Sequence, residues 1–225
     1  MKLNRYIDHT LLRPDAVPED VEKLCREARE FHLYSVVVNP VYITTAAEIL
    51  KDSRIRICSV AGFPLGASQP EIKLAEAIRA EADGAEEVDI VANIGWLQSE
   101  CFPLVARELI DIRRRLSSDT VLKVIIETPL VKPDLWPEAV KALIRAGVDY
   151  VKTATGFFGS TSVRHVEQLR EYCGDRIKIK AAGGIKTADE AMAMIMAGAS
   201  RIGSSSSVAI MKGLKDQRES DTQRS

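Results

Sequence analysis

Eight short runs rich in Val and Ile alternate with stretches of helical periodicity, and this alternation limits the possible folds more than any other feature of the chain. The first helical stretch shows the pattern, with apolar residues three or four positions apart at Val21, Leu24, Cys25 and Ala28. Eight strand–helix units without a long linker predict an α/β protein, a single-domain (β/α)8 TIM barrel. The alternative is an open doubly wound sheet, which suits six strands better than eight.

The predicted barrel occupies residues 1–214, and the polar, aperiodic residues 215–225 are expected to form a flexible C-terminal tail. Within the barrel, the fifth strand is predicted over residues 121–129 and the eighth over residues 201–206. The third and seventh strands are each followed by a capping box, in which a hydroxyl residue and an acid three positions later begin a helix. These pairs are Ser68 with Glu71 and Thr187 with Glu190.

The composition of the chain argues against several classes of protein. With 46% hydrophobic and 28% charged residues, its 225 residues have the balance of a globular protein and not of a disordered one. The net charge of -1, from 31 basic and 32 acidic residues mixed along the chain, gives no reason to expect a nucleic-acid or membrane partner. The cysteines are widely spaced, without a CxxC motif, so no bound metal is expected and they are typical of a reducing compartment. The N-terminus lacks an apolar signal core, so a cytoplasmic protein is expected.

Two lysines occupy positions where a strand of a parallel sheet would normally carry an aliphatic residue. Lys152 lies in segment 150–156 (YVKTATG) and Lys180 in segment 177–184 (IKIKAAGG), each shortly before a glycine. Burying an ammonium group is costly unless it is paired or loses its proton, so folds keep such residues mainly for chemistry. Desolvation and a second ammonium nearby lower the pKa of an amine and make it nucleophilic, which is the chemistry of a Schiff-base enzyme. The alternative is that both lysines end their strands with the ammonium groups in solvent.

Alternation along the strands predicts which charged side chains point into the barrel. In the seventh strand, Lys178 and Lys180 share the inward face, and in the fourth strand the inward residue is Asp89. Active sites of barrels lie at the C-terminal ends of the strands. Asp89, Lys152 and Lys180 are therefore predicted to be catalytic.

Other polar residues are predicted to support these three. Asp8 and Thr10 share one face of the first strand, and Lys123 and Glu127 share one face of the fifth. An interior with this many charges is more polar than a packed barrel core requires. A structural ion pair is an equally good explanation for Lys123.

Two glycine-rich loops follow the last two predicted strands. The first contains Gly183 and Gly184, and the second contains Gly203, Ser205 and Ser206. Barrels often bind phosphate at these loops through backbone N–H groups and a helix N-terminus, and two such loops together predict a phosphorylated small-molecule substrate. The predicted phosphate- and substrate-binding residues are Thr155, Gly156, Gly183, Gly184, Gly203, Ser205 and Ser206.

Seven ordered motifs between about Ile7 and Ile210 resemble the deoxyribose-phosphate aldolases, a family of class I, metal-independent enzymes. The motifs are DHTL (8–11), GFPLG (62–66), EVDIV (87–91), KVIIET (123–128), VKTATG (151–156), KAAGGI (180–185) and GSS (203–205). The resemblance implies reversible cleavage of 2-deoxy-D-ribose 5-phosphate to D-glyceraldehyde 3-phosphate and acetaldehyde, in deoxyribonucleoside breakdown and without a cofactor.

The resemblance also implies a role for each matching residue. Lys152 would form the Schiff base, Lys180 would be the neighbouring ammonium that lowers its pKa, and Asp89 would take part in proton transfer through a water. Asp8 and Thr10 match positions near the second lysine.

Two features depart from the family pattern. Phe157 stands where some members carry a lysine that helps to hold phosphate, and the chain ends in TQRS (222–225), without the terminal tyrosine of some members.

Two other functions fit the phosphate loops: an isomerase or epimerase acting on a phosphosugar, and a noncatalytic sugar-phosphate-binding barrel. Barrels of this type often self-associate, so a homo-oligomer, either a dimer or a tetramer, is expected.

Overall fold

The computed structural model describes residues 2–214, which form one closed barrel of eight parallel strands. The strands are β1 (Ile7–Leu11), β2 (Ser35–Val38), β3 (Arg56–Ala61), β4 (Glu87–Val91), β5 (Val121–Ile125), β6 (Tyr150–Lys152), β7 (Lys178–Ala182) and β8 (Arg201–Ser204). Each strand pairs with the next in sequence, and β8 pairs with β1. The predicted single-domain (β/α)8 barrel is confirmed, and the predicted tail of residues 215–225 lies outside the described residues.

Helices connect the strands and surround the barrel. The α-helices are α1 (Pro18–Glu30), α2 (Ile43–Leu50), α3 (Pro70–Ala82), α4 (Ile94–Gln98), α5 (Phe102–Arg115), α6 (Trp136–Arg145), α7 (Val163–Cys173) and α8 (Ala188–Met196), and α9 covers residues 207–214. Short 3-10 helices cover Leu3–Tyr6, Pro40–Tyr42 and Pro133–Leu135. Among the described residues, no helix has both the length and the apolar character that a membrane span needs.

One predicted capping box forms and the other does not. At α8, the Thr187 hydroxyl accepts the Glu190 N–H at 3.2 Å, and the Glu190 carboxylate accepts the Thr187 N–H at 3.0 Å. The prediction for Ser68 and Glu71 is wrong, because α3 begins at Pro70. Proline is favoured at the first helical position, where its fixed φ fits and its missing N–H costs nothing, so it moves the start of the helix past the serine.

The largest apolar cluster lies between the strands and the helices. On β4, Val88 and Ile90 are fully buried and belong to the same cluster as Val105 and Leu109 of α5. Burying an aliphatic side chain of this size contributes about 1.5–3 kcal/mol to folding. Asp89 lies between the two strand residues, so its side chain points to the opposite face, into the barrel. The outer faces of the strands thus supply the hydrophobic core.

The barrel interior is divided between an apolar side and a charged side. A small apolar cluster of Leu12, Val37, Cys58 and Val60, with Phe63 packed against it, fills the side near β2 and β3. The other strands contribute buried charged residues, which are Asp8, Glu87, Asp89, Lys123, Lys152, Lys180 and Arg201. The charged side, and not the apolar one, therefore continues towards the ends of β6 and β7.

Two predicted strands are shorter than expected. β5 ends at Ile125 because the backbone of Glu127 turns into the left-handed region, with φ of 52°. β8 ends at Ser204, and the next two serines belong to the loop before α9. The prediction that Lys123 and Glu127 share one strand face is therefore wrong for Glu127, which lies beyond the strand.

Lys178 does not join the buried charges, although alternation placed it on the inward face. It is the first residue of β7 and is exposed, with its ammonium nitrogen 5.5 Å from the ring centre of Tyr150. The face was predicted correctly, but alternation does not tell how deep in the barrel a residue lies.

A further buried lysine lies outside the barrel, on α3. Lys73 is fully buried, and its ammonium donates to the Gly66 carbonyl at 3.3 Å, the Val91 carbonyl at 3.0 Å and the Glu108 carboxylate at 2.9 Å. These bonds connect the loop after β3 to the end of β4 and to α5. Lys73 therefore fixes the loop at the C-terminal end of the third strand.

Candidate active site

Asp89 lies at the centre of a network of buried ion pairs inside the barrel. Its Oδ2 atom is 2.7 Å from Nζ of Lys152 and 2.7 Å from Nζ of Lys180, while its Oδ1 atom is 2.9 Å from Nζ of Lys123. The strand register explains this arrangement, because Asp89 is paired with Lys123 across β4 and β5, and Lys152 with Lys180 across β6 and β7. The structure thus brings together the three residues that alternation and spacing predicted to be catalytic.

The network continues below Asp89 through two further carboxylates. Asp8 lies 2.7 Å from the Lys180 ammonium and 2.8 Å from Nε of Arg201. Glu87 lies 3.0 Å from Nη2 of Arg201 and 2.5 Å from the Lys123 ammonium. Neither Arg201 nor Glu87 stands out in the sequence, although Arg201 shares the inward face of β8 with Gly203, and Glu87 shares that of β4 with Asp89.

The network gives its two upper lysines opposite electrostatic environments. Burial lowers the pKa of Lys152, and the charge of Lys180 lowers it further, against the opposing effect of Asp89. Burial would also lower the pKa of Lys180, but its two carboxylate neighbours Asp8 and Asp89 outweigh burial and raise it. Burial would raise the pKa of Asp89, but Lys123, Lys152 and Lys180 hold it well below its usual value. Lys152 is therefore the lysine that most readily loses its proton.

Lys152 is also the least buried of the three lysines around Asp89. Its side chain keeps 4% of its surface exposed, whereas those of Lys123, Lys180 and Asp89 keep none. Lys152 is the last residue of β6, so its amine lies where the strand opens towards the loops. A nucleophile at this position faces the end of the barrel where active sites of this fold lie.

A cleft of about 710 Å³ opens above this end of the barrel. All seven residues predicted to bind phosphate or substrate line it: Thr155, Gly156, Gly183, Gly184, Gly203, Ser205 and Ser206. Thr10 and Phe157 line it as well, together with the cationic residues Arg13 and Lys186 and the acidic Glu190, whose carboxylate accepts two backbone N–H groups at the start of α8. The cleft therefore combines glycine-rich loops and a helix N-terminus with two cationic side chains, which suits an anionic ligand.

Two of the cleft glycines lie close to neighbouring side chains. Gly184 has φ of +81°, and a Cβ atom there would lie 2.4 Å from the Ser160 hydroxyl. A Cβ atom at Gly203 would lie 3.1 Å from the Cβ of Ala182 and 3.2 Å from the Cε of Lys180. Glycine at position 203 thus leaves room for the lysine stem directly beneath the second glycine-rich loop.

Glu127 and Thr10 occupy supporting positions. The Glu127 carboxylate is fully buried and accepts the Thr155 N–H at 3.1 and 3.3 Å, so it holds the loop that follows Lys152. Burial raises the pKa of Glu127, against the effect of these hydrogen bonds. The Thr10 hydroxyl donates to the Asp8 carbonyl at 3.1 Å. Of these two residues of β1, Asp8 is the one that contacts Lys180, through its carboxylate.

Metal ligation has no evident place in this arrangement. Within residues 2–214, no group of three or more His, Cys, Asp or Glu side chains is placed to hold a metal ion. The carboxylates of the network each face lysine or arginine. The absence of a metal or other cofactor stays a prediction.

Comparisons with known proteins agree with the motifs. A family model described as DeoC/LacD family aldolase matches residues 3–213. The deoxyribose-phosphate aldolase of Brevibacillus brevis is 46% identical over 96% of this chain and 97% of its own, and that of Enterococcus faecalis is 44% identical over 95% and 97%.

Solved structures give the same result. A protein described as QR15, an aldolase, is 37% identical and covers 96% of this chain and 97% of its own, with a TM-score of 0.91. The deoxyribose phosphate aldolase from Aeropyrum pernix, whose structure is described as tetrameric, is 36% identical and covers 95% and 91%, with a TM-score of 0.88. The resemblance inferred from the motifs is confirmed, and the chain belongs to the DeoC/LacD family of aldolases.

Proposed function

We propose that the protein is a deoxyribose-phosphate aldolase, which cleaves 2-deoxy-D-ribose 5-phosphate reversibly to D-glyceraldehyde 3-phosphate and acetaldehyde. One observation carries the proposal: Lys152, with its lowered pKa, shares one carboxylate oxygen with Lys180, each at 2.7 Å. The relatives named deoxyribose-phosphate aldolase support the choice of substrate.

In the first step, the neutral amine of Lys152 attacks the aldehyde carbon of the open-chain sugar. Loss of water from the adduct leaves a protonated imine, whose positive charge lies beside the Asp89 carboxylate. The carboxylate stabilises this cation, because opposite charges attract strongly in a buried site. Lys180 keeps the free amine neutral and thus ready to react.

The imine then accepts electrons from the bond that breaks. A base takes the proton of the C3 hydroxyl, the C2–C3 bond cleaves to release glyceraldehyde 3-phosphate, and its electron pair forms an enamine on Lys152. Protonation of the enamine carbon and hydrolysis release acetaldehyde and the free amine. Asp89, with its very low pKa, is a poor final holder of a proton, so its role is to relay protons through a water together with the Lys180 ammonium.

The phosphate of the substrate is assigned to the glycine-rich side of the cleft. The loops after β7 and β8 contribute Gly183, Gly184, Ser205 and Ser206, and the second loop leads directly into α9. Backbone N–H groups at such positions bind phosphate through hydrogen bonds and the helix dipole. Phe157 stands at the rim of the same cleft and contributes no charge.

The proposal also includes self-association of the protein. The protein is expected to form a dimer or a tetramer, and the tetrameric relative from Aeropyrum pernix supports an oligomer. A cytoplasmic location and the absence of a nucleic-acid partner stay predictions from the sequence.

Trapping of the Schiff base tests the proposal. Acetaldehyde and borohydride added together should leave an ethyl group on the peptide that contains Lys152, and Lys152→Met should abolish this modification. The exposed Lys178 provides an internal control for nonspecific alkylation, and its peptide should take up far less label than that of Lys152. A phosphosugar isomerase or a noncatalytic binding protein would show no preference for Lys152, and preferential labelling of another lysine would overturn the assignment.

A further inference from the structure

The lower part of the charged interior has no contact with the cleft and no part in the reaction steps above. Glu87 precedes Asp89 by two residues on β4, so it lies one layer deeper in the barrel, at about 3.3 Å per residue. Arg201 occupies the same depth on β8, two residues before Gly203. Both residues are buried, at 0% and 2% exposure. Buried charges are costly, so their presence beneath the reactive lysine needs a physical reason.

Arg201 is held from every side. Its guanidinium group donates to Asp8, to both Glu87 oxygens and to the Ser35 hydroxyl. The ring centre of Tyr34 lies 3.6 Å from its Cζ atom. The guanidinium therefore contributes a fixed positive charge at the floor of the barrel.

The charges of the network balance only if Lys152 is neutral. Within residues 2–214, the connected ion pairs contain three buried carboxylates and, apart from Lys152, three buried cations. The carboxylates are those of Asp8, Glu87 and Asp89, and the cations are Lys123, Lys180 and Arg201. A protonated Lys152 would be a fourth cation for three carboxylates.

The remaining groups around the network do not alter this balance. Arg56 approaches Glu87 at 3.6 Å, but its side chain is 38% exposed, so water screens its charge. Burial raises the pKa of the Cys58 thiol, which contacts Asp89, to about 12, so the thiol is uncharged. Glu127 lies outside the connected ion pairs and accepts the Thr155 N–H; burial raises its pKa and so favours its uncharged form, against the opposing effect of Lys152.

We propose that Arg201, Glu87 and Lys123 are positioning residues that act through charge: they fix the charge of the network beneath Lys152 so that its amine is neutral. Arg201 and Glu87 touch neither the substrate nor Lys152, and their effect reaches Lys152 through Asp8, Lys123, Lys180 and Asp89. The inference rests on the proposed function, because it concerns the nucleophile of that reaction.

The proposal predicts shifts of opposite sign in the pH dependence of kcat/KM. Activity falls at low pH as Lys152 becomes protonated, so the acid limb of the profile follows its pKa. Glu87→Gln removes a negative charge and disfavours the ammonium, so the acid limb should move to lower pH. Arg201→Gln removes a positive charge, so the limb should move to higher pH. Because Glu87 and Arg201 lie one layer of side chains below Asp89, each shift of the acid limb should be about one pH unit.

Two matched variants separate charge from packing. The double variant Glu87→Gln/Arg201→Gln keeps the net charge of the network, and its acid limb should return to within a few tenths of a unit of the wild-type position. Arg201→Lys keeps the cation and should leave the limb in place. A merely structural role would lower activity at every pH without these opposite movements.

Alternative variants are available if one of these does not fold. Lys123→Met also removes a cation and should move the acid limb to higher pH. Asp8→Asn also removes an anion and should move it to lower pH. Movement in the same direction for both kinds of variant, or no movement in folded variants, overturns the proposal. Failure of the proposed function would instead appear in the wild type, as the absence of a Schiff-base adduct on Lys152.

Discussion

Lys73 and Lys152 are both buried lysines that contact a carboxylate, yet their surroundings differ in the number of acceptors per cation. Lys73 has its own carboxylate, Glu108, and two backbone carbonyls. Lys152 has one carboxylate, Asp89, which also holds Lys180 and Lys123. The comparison teaches that burial alone does not make a lysine nucleophilic. A lysine becomes nucleophilic when several cations share one carboxylate, because the other cations disfavour the positive charge of its ammonium form.

The positions of the two lysines match this difference. Lys73 lies between α3 and the end of β4, and none of its side-chain surface is exposed. Lys152 keeps a small exposed surface at the end of β6. A structural lysine can be sealed from solvent, whereas a nucleophile needs a path to its substrate.

The largest expected effect is on catalysis by Lys152→Met. Loss of the nucleophile should lower kcat by about 10,000-fold or more, since no other group can form the imine. The free energy of unfolding should stay the same or increase. The lowered pKa of Lys152 means that folding disfavours the ammonium that the unfolded chain carries at neutral pH, and methionine removes that cost. Steady-state kinetics and urea unfolding measure the two effects, and a large loss of stability would contradict the comparison.

Lys73→Met should have the opposite profile. Removing one partner of a buried ion pair leaves Glu108 uncompensated and should reduce the free energy of unfolding by about 3–5 kcal/mol. The folded fraction should keep its activity to within a few fold. Urea unfolding at constant m-value measures the change. The double variant Lys73→Met/Glu108→Leu is the control and should recover most of the stability, because it leaves no unpaired charge; failure to recover would mean that the carbonyl contacts dominate.

Lys180→Gln should have a smaller effect, confined mainly to the pH profile. Removing this neighbouring cation raises the pKa of Lys152, so the acid limb of kcat/KM should move upwards by one to two units. On the acid limb the rate should therefore fall about tenfold or more at a given pH, and recover at higher pH. Lys180→Arg keeps the charge and should shift the limb less. An unchanged limb in Lys180→Gln would show that Asp89 alone determines the state of Lys152.

The sequence was sufficient to place the centre of the site but not its floor. Asp89 and Lys180 lie on inward faces of parallel strands, so alternation brought them together with Lys152 near one end of the barrel. Alternation also points Arg201 inwards. Because β8 begins at that residue, no apolar strand residue precedes Arg201 to show that its side chain would be buried. Lys178 shows the converse, since it has an inward position but lies exposed at the N-terminal end of its strand.

Backbone turns and contacts between distant elements account for the other differences. Nothing in segment 121–129 signals that Glu127 has a positive φ. The turn that follows Glu127 and its hydrogen bond to the Thr155 amide determine its backbone conformation. Lys73 looks like any polar residue of an amphipathic helix, and its partners lie on a loop, a strand and a distant helix. Local periodicity carries no information about such partners.

The closure of the barrel has a consequence for synthesis of the protein. Arg201 and its partner Asp8 are 193 positions apart, and they meet only when β8 joins β1. A growing polypeptide that stops before β8 lacks both this pair and the glycine that leaves room for Lys180. The reactive amine therefore acquires its surroundings only after β8 has been made, and in a shorter nascent chain Lys152 is an ordinary lysine, almost entirely protonated at neutral pH.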